Sequence, residues 1–442
     1  MRKTVSVFIL CFLVAHPLAG VRGDDGEGTI SLNEAIRIAL EKNQDVLVAQ
    51  RRVVEAQYAL GEARAAFLPS FDAVARYQRI DKSPSFEIPF ALPGQSNKVS
   101  FMPTESYQAG FAAQQPLFTG GRLYNSYKVA GAGLRSRERE MEAVQNELVF
   151  LVKRAYYQIL VAQKFAAVAE QSVKLLDTHL QDIQRFLDAG LVARVDLLRT
   201  EVQKADSEQQ LNSAVNAVDL AKSTFNNLLD RSLETPVQVE DILEYVPTVI
   251  SLEEGTQAAL EQRPEIEALE AAVEMATRNV SIARAAYFPT VAAQGTYDWQ
   301  KGTQLEILDE DWHWTVGLSG SMTLWNWGAT RAQVAQAAAK LDQTELELEK
   351  LRNSVALDVR QSYLKMGEAE KNVAVSEKAV ASAQESYRTT GERYREGVGT
   401  NTEVLDAENA LARAEANRNQ ALFEHNVAVA RLNRAIGVGW QD

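Results

Sequence analysis

The stretch Tyr394-Arg395-Glu396-Gly397-Val398-Gly399-Thr400-Asn401-Thr402-Glu403-Val404-Leu405-Asp406-Ala407 decides the fold. It lies inside a longer segment, Val359 to Gly437, that reads as a long helix, a tight glycine turn and a second long helix running back. Glycine tolerates positive φ, so Gly397-Val398-Gly399 can stop and reverse a helix without steric cost. A side-chain oxygen of Thr400, Asn401 or Thr402 can then cap the next helix.

The segment occurs twice, 207 residues apart. Gly190, Val152, Tyr156, Glu201 and Asn226 precede Gly397, Val359, Tyr363, Glu408 and Asn433 by that offset, and no gap is needed from Leu117 to Asp230. The apolar positions repeat too. Leu134, Met141, Val144, Leu148, Val152, Tyr156 and Ile159 match Leu341, Leu348, Leu351, Val355, Val359, Tyr363 and Met366. Their spacing of three, four and seven marks one helix face. A duplicated hairpin predicts one fold of two halves, not two unrelated domains.

The first repeat is read as residues 24–230, with helical spacing over 31–68, strands at about 70–78 and 106–117, and the long hairpin at 122–230. A linker covers 231–250. The second repeat is 251–442, with helices over 251–288, strands at 290–300 and 312–324, and the hairpin at 328–437. Ser31-Leu32-Asn33-Glu34 and Ser251-Leu252-Glu253-Glu254 are capping-box patterns that open the repeats.

Between helix and hairpin the period changes from helical to two. Trp312, Trp314, Val316, Leu318, Gly320, Met322 and Leu324 alternate with His313, Thr315, Gly317, Ser319, Ser321 and Thr323. Val291, Ala293, Tyr297 and Trp299 alternate with Gln294, Thr296, Asp298 and Gln300. Copy one holds a matching pair around Phe71–Gln78 and Tyr107–Gln114. Strands of about ten residues, apolar on one face and polar on the other, suit a transmembrane β-barrel. Trp299, Trp312, Trp314, Trp325 and Trp327 cluster in or beside the second pair, the composition of an interfacial aromatic girdle.

Met1-Arg2-Lys3 followed by the short apolar run Val5–Val14 reads as a secretory signal over residues 1–23, too short for a membrane anchor. Its removal would take the lone cysteine, Cys11, and shift the formal charge from −13 to −16. An acidic exported chain is a poor nucleic-acid binder. The remaining histidines, His179, His313 and His425, form no metal-ligand pair, and no phosphate loop or nucleophile elbow is present, so neither enzyme nor cofactor is expected.

Four strands cannot close a barrel, and an open edge cannot sit in lipid, so the pattern demands a homo-oligomer. At this point the chain resembles the TolC-like outer-membrane efflux proteins. The echoes are Arg185-Phe186 through Gly190-Leu191-Val192, Tyr394 through Gly397-Val398-Gly399-Thr400, and Val404-Leu405-Asp406-Ala407, within a likeness running from Ser31 to Gly437. The resemblance implies a mixed α/β fold: a homotrimer with a 12-stranded barrel in outer-membrane lipid, continued by a periplasmic α-barrel. It further implies a periplasmic adaptor (membrane fusion) protein and an inner-membrane transporter of RND, ABC or MFS type, serving efflux or type I secretion.

The resemblance places an acidic ring of Glu403 and Asp406 at the periplasmic mouth. It places a latch between neighbouring hairpins at Asp196 and Tyr394; the third, usually basic position falls on Gly399, with Arg194 or Arg395 as substitutes. Glu403 and Asp406 are equally readable as first-turn acids favoured by the helix dipole. The tips Gly190-Leu191-Val192 and Gly397-Val398-Gly399 are expected to dock the adaptor. The rival reading, a periplasmic coiled-coil scaffold or adaptor without a barrel, leaves the tryptophan-rich strand pairs unexplained.

Overall fold

The computed structural model describes residues 29–82, 85–87, 98–100, 104–247, 250–301 and 312–438. The expected signal, Cys11, most of both strand-joining loops and the last four residues lie outside the described residues.

Each repeat opens with two helices: α1 (Leu32–Lys42) and α2 (Gln44–Ala65), later α5 (Leu252–Gln262) and α6 (Pro264–Arg284). The helical spacing conceals both breaks. Asn43 stops α1, and its side chain accepts from Asp45 N at 2.9 Å to cap α2 while donating to Leu228 O at 3.0 Å. Arg263 makes the second break, because Pro264 disfavours a helical residue before it. Ser251 and Glu254 form the full capping box; Ser31 makes only the half that accepts from Glu34 N.

The strands are β1 (Ser70–Arg79), a short β2–β3 hairpin (Ser85–Glu87, Lys98–Ser100), β4 (Glu105–Phe118), β5 (Thr290–Lys301) and β6 (His313–Ser321). Four of them form one antiparallel sheet in the order β1-β4-β5-β6. The expected strand over 312–324 ends at Ser321, which pairs with Thr290. Pro289 precedes Thr290 and has no N–H to extend the ladder, so Met322 to Leu324 have no strand partner among the described residues.

The sheet gives way to two hairpins: α3 (Arg122–Asp188) with α4 (Arg194–Leu228), and α7 (Ala329–Arg395) with α8 (Asn401–Ile436). Helices α3 and α7 have 67 residues each, about 100 Å at 1.5 Å per residue. Gly121 and Gly328, both at φ +84°, start them. Within the chain, α8 packs on both α7 and α3, so it bridges the hairpins.

Three apolar clusters hold the helices. The first joins α1, α3, α4 and the linker around Tyr156, Phe225, Ile159 and Leu229. The linker is therefore packed structure. Tyr156 is fully buried; its hydroxyl accepts from Glu240 N at 2.8 Å and reaches the Ile30 and Glu240 carbonyls at 3.0 and 3.2 Å. The second cluster joins α5, α6, α7 and α8 around Val359 and Leu432, and the third lies at the hairpin tips. No helix among the described residues is long and apolar enough to cross a membrane.

Candidate functional site

The sheet register decides what the strands can do. Directly paired residues share a face. Tyr297 pairs with Phe111 and Trp314, Gly295 with Ala113 and Val316, and Ala293 with Leu318. Phe71, Ala73, Ala75 and Tyr77 of β1 join the same face through Ala113, Phe111, Ala109 and Tyr107. One apolar face thus runs across four strands drawn from both repeats, with Gln115 at one margin and Arg79, Glu105 and Lys301 at the other. The opposite face gathers Asp72, Arg76, Gln108, Gln114, Gln294, Thr296, Asp298, His313, Thr315 and Ser319.

The polar face is hydrogen-bonded across strands. Gln294 donates to Ser319 Oγ at 3.0 Å, and Thr290 and Ser321 hydroxyls meet at 3.0 Å. His313 is half exposed and lies 3.3 Å from Asp298 Oδ2. Gly110, opposite Asp298, admits that side chain: a Cβ at Gly110 would sit 2.5 Å from Asp298 Cβ.

Aromatic side chains occupy both ends of the sheet. Far from the helices, Trp312 stacks on Tyr297 at 5.0 Å, Tyr77 lies 5.0 Å from Tyr107, and Trp299 is half-buried nearby. At the helix end, beyond β6, Trp325 and Trp327 meet edge to face at 5.9 Å. Trp327 is 90% exposed and adopts φ +56°, a left-handed conformation that Gly120 takes in the first repeat. Trp314 and Val316 between the two groups are exposed as well.

The hairpin tips lie at the other end of the molecule. Gly190 (φ +72°) and Gly397 (φ +76°) each close a helix with paired bonds: Leu191 N to Phe186 O and Gly190 N to Leu187 O, then Val398 N to Arg393 O and Gly397 N to Tyr394 O. Leu191 is 72% and Val398 65% exposed, whereas Val192, expected at the docking tip, packs inward against Ile183, Tyr394 and Val404. Thr400 caps α8, accepting from Glu403 N at 3.3 Å, while the Glu403 carboxylate accepts from Thr400 N at 3.0 Å. Glu403 is thus the capping-box acid of α8. Asp406 is exposed one turn on.

Tyr394 sits in the chain's own core. Its ring packs on His179 at 5.0 Å and Phe186 at 5.9 Å, and its buried hydroxyl has no hydrogen-bond partner among the described residues. Burial raises its pKa, with Asp196 and Asp182 adding to the effect. Asp196 is half-buried and its carbonyl accepts from Thr200 Oγ1 at 3.0 Å and Asn401 Nδ2 at 3.1 Å. Arg395 reaches Asp182 at 3.8 Å, linking α7 to α3 within one chain, and Arg194 is exposed.

Gly399 cannot carry the missing basic side chain. Its Cβ would stand 2.9 Å from Tyr394 N and 3.2 Å from Arg393 C, in backbone that cannot yield. Asn401, a cap candidate from the sequence, leaves capping to Thr400 and turns inward, joining His179 Nε2 at 2.8 Å and Thr200 Oγ1 at 3.2 Å. Burial lowers the His179 pKa. The remaining buried histidine, His425, lies 3.1 Å from Val246 O. Among the described residues no group of His, Cys, Asp and Glu could hold a metal ion.

A lipid-compatible sheet with an aromatic group at each end, set on helices about 100 Å long, defines an outer-membrane channel protein with a periplasmic helical part. The family model for the outer membrane efflux protein matches residues 35–229 and 255–438, one stretch in each repeat. The chain belongs to the outer membrane efflux protein family. It is 24% identical over 324 residues to outer membrane efflux protein BepC of Brucella suis, covering 73% of this chain and 69% of that one. It is 25% identical over 342 residues to alkaline protease secretion protein AprF of Pseudomonas aeruginosa, covering 76% and 70%. The solved outer-membrane channel OprN superposes with a TM-score of 0.79 at 22% identity, covering 93% of this chain and 91% of that one.

Proposed function

We propose that three copies of this chain pool their sheets into one 12-stranded barrel, forming a passive conduit that catalyses nothing. The single observation that carries this reading is the apolar face across β1-β4-β5-β6, whose two edges are open. An even strand count lets β6 of one copy run antiparallel to β1 of the next, so the ring closes without an edge. The conduit serves a tripartite efflux or type I secretion assembly, with an adaptor docking at the exposed tips Leu191 and Val398. One relative is named for efflux and another for alkaline protease secretion, which keeps both cargo classes in view.

The resting constriction in this reading is the ring of Glu403 and Asp406, past the turn that ends α7. Capping leaves one Glu403 oxygen to face an axis, and three-fold symmetry would draw the carboxylates together. Arg194 and Asp196 remain at the hairpin surface to meet a neighbour, while Tyr394 supports the latch from within. Planar-bilayer recordings test the ring. Glu403→Gln keeps the cap, since Gln serves at that capping-box position. Combined with Asp406→Asn, it should therefore weaken cation selectivity and block by multivalent cations without melting α8. Wild-type selectivity in that variant would remove both carboxylates from the constriction. Asp196→Ala should raise resting conductance.

A further inference from the structure

Glu408 lies seven residues beyond Asn401 on α8 and is 2% exposed. The Ser172 hydroxyl of α3 donates to its Oε1, and Ser172 and Ser207 hydroxyls lie 3.4 Å apart, so α3, α4 and α8 meet at this carboxyl. Its other oxygen, Oε2, is buried with no partner among the described residues. Among the described residues, the groups facing it carry no compensating charge. Ser172 and Ser207 are hydroxyls, and the half-buried phenol of Tyr387 approaches from α7. Lys204, one turn before Ser207, is occupied by Asp177 at 2.6 Å and Glu208 at 3.8 Å. The repeat partner Glu201 is exposed on α4, so burial is particular to the second copy.

A buried carboxylate without a cation is costly, and a neutral acid is much less so. We propose that Glu408 is a proton-responsive lock of the seam between α3 and α8: it packs as the neutral acid and loosens the hairpins when it ionises. This rests on the conduit reading only in its conductance arm. Burial raises the Glu408 pKa, and the Ser172 hydrogen bond opposes that shift. The packed state therefore holds its proton more tightly than a hydrated, loosened state. Its advantage is complete below the ordinary carboxyl range and is lost as pH rises through the raised value. His179, two turns away in the same seam, works in the opposite sense: burial lowers its pKa, so acid disfavours the packed neutral ring. The effect of His179 on the seam is therefore opposite in sign to that of Glu408.

The test measures resting conductance and helical melting of the full detergent-extracted protein between about pH 5 and about pH 8. Wild type should conduct several-fold more, and melt lower, at the alkaline end. Glu408→Gln should hold the low-conductance, high-melting behaviour across that limb. Ser172→Ala removes the bond that favours ionisation, so it should move the alkaline limb to higher pH. A Glu408→Gln protein with the wild-type alkaline limb overturns the lock, as does a wild type with no such limb. Should Glu408→Gln fail to fold, an unmoved limb in Ser172→Ala overturns it. A wild type that never conducts but melts with the stated pH dependence contradicts the conduit reading and leaves the lock standing.

Discussion

At Gly110 a single hydrogen atom lets two strands from different repeats share a face. Replacing it by Ala sets a Cβ 2.5 Å from Asp298 Cβ and 2.7 Å from Tyr297 O. We expect Gly110→Ala to destabilise the assembled sheet by about 1–3 kcal/mol, as overpacking does elsewhere. A lower temperature for loss of heat-modifiable mobility would register it; an unchanged temperature would show that β4 and β5 separate easily. Gly399 teaches the same lesson at the tip. The sequence displays the missing basic residue, but only coordinates show that the turn has no room for one. Asn401 and Glu408 were likewise beyond reach from spacing, because burial depends on which helix lies opposite. Helix α8 is packed against two long helices and α4 against one, so Glu408 is buried and its repeat partner Glu201 is not.

Among the elements, the strands and long hairpins were the most legible. Period-two alternation and the 207-residue repeat are global signals that survive single-residue exceptions. The breaks at Asn43 and Arg263 were hidden because apolar spacing continues through them, although Pro264 is itself a helix-start signal. The end of β6 was hidden because alternation continues to Leu324 after the partner strand has run out. The two faces of β6 give the sharpest contrast. Val316→Arg should impair assembly by about 2–4 kcal/mol if Val316 lies near the bilayer midplane. Thr315→Arg, on the polar face, should be tolerated far better. Outer-membrane yield of the two variants checks this; equal yields would count against lipid on the Val316 face.

The whole molecule is incomplete as one chain. Its sheet has two open edges, and its helices leave Leu346, Leu357, Leu364 and Val375 on α7 and Val202, Val215 and Leu220 on α4 exposed. The internal repeat places α8 between α3 and α7, and in the proposed trimer a neighbour's α7 would take the equivalent place beside α4. Both the membrane and the periplasmic parts therefore ask for the same neighbours. Four strands alone predict an oligomer, whereas the count of three rests on family resemblance. Native mass measurement of the detergent-extracted protein tests the central claim most directly. The account predicts a species of three chains that loses its sheet when separated; a stable, folded single chain would contradict it.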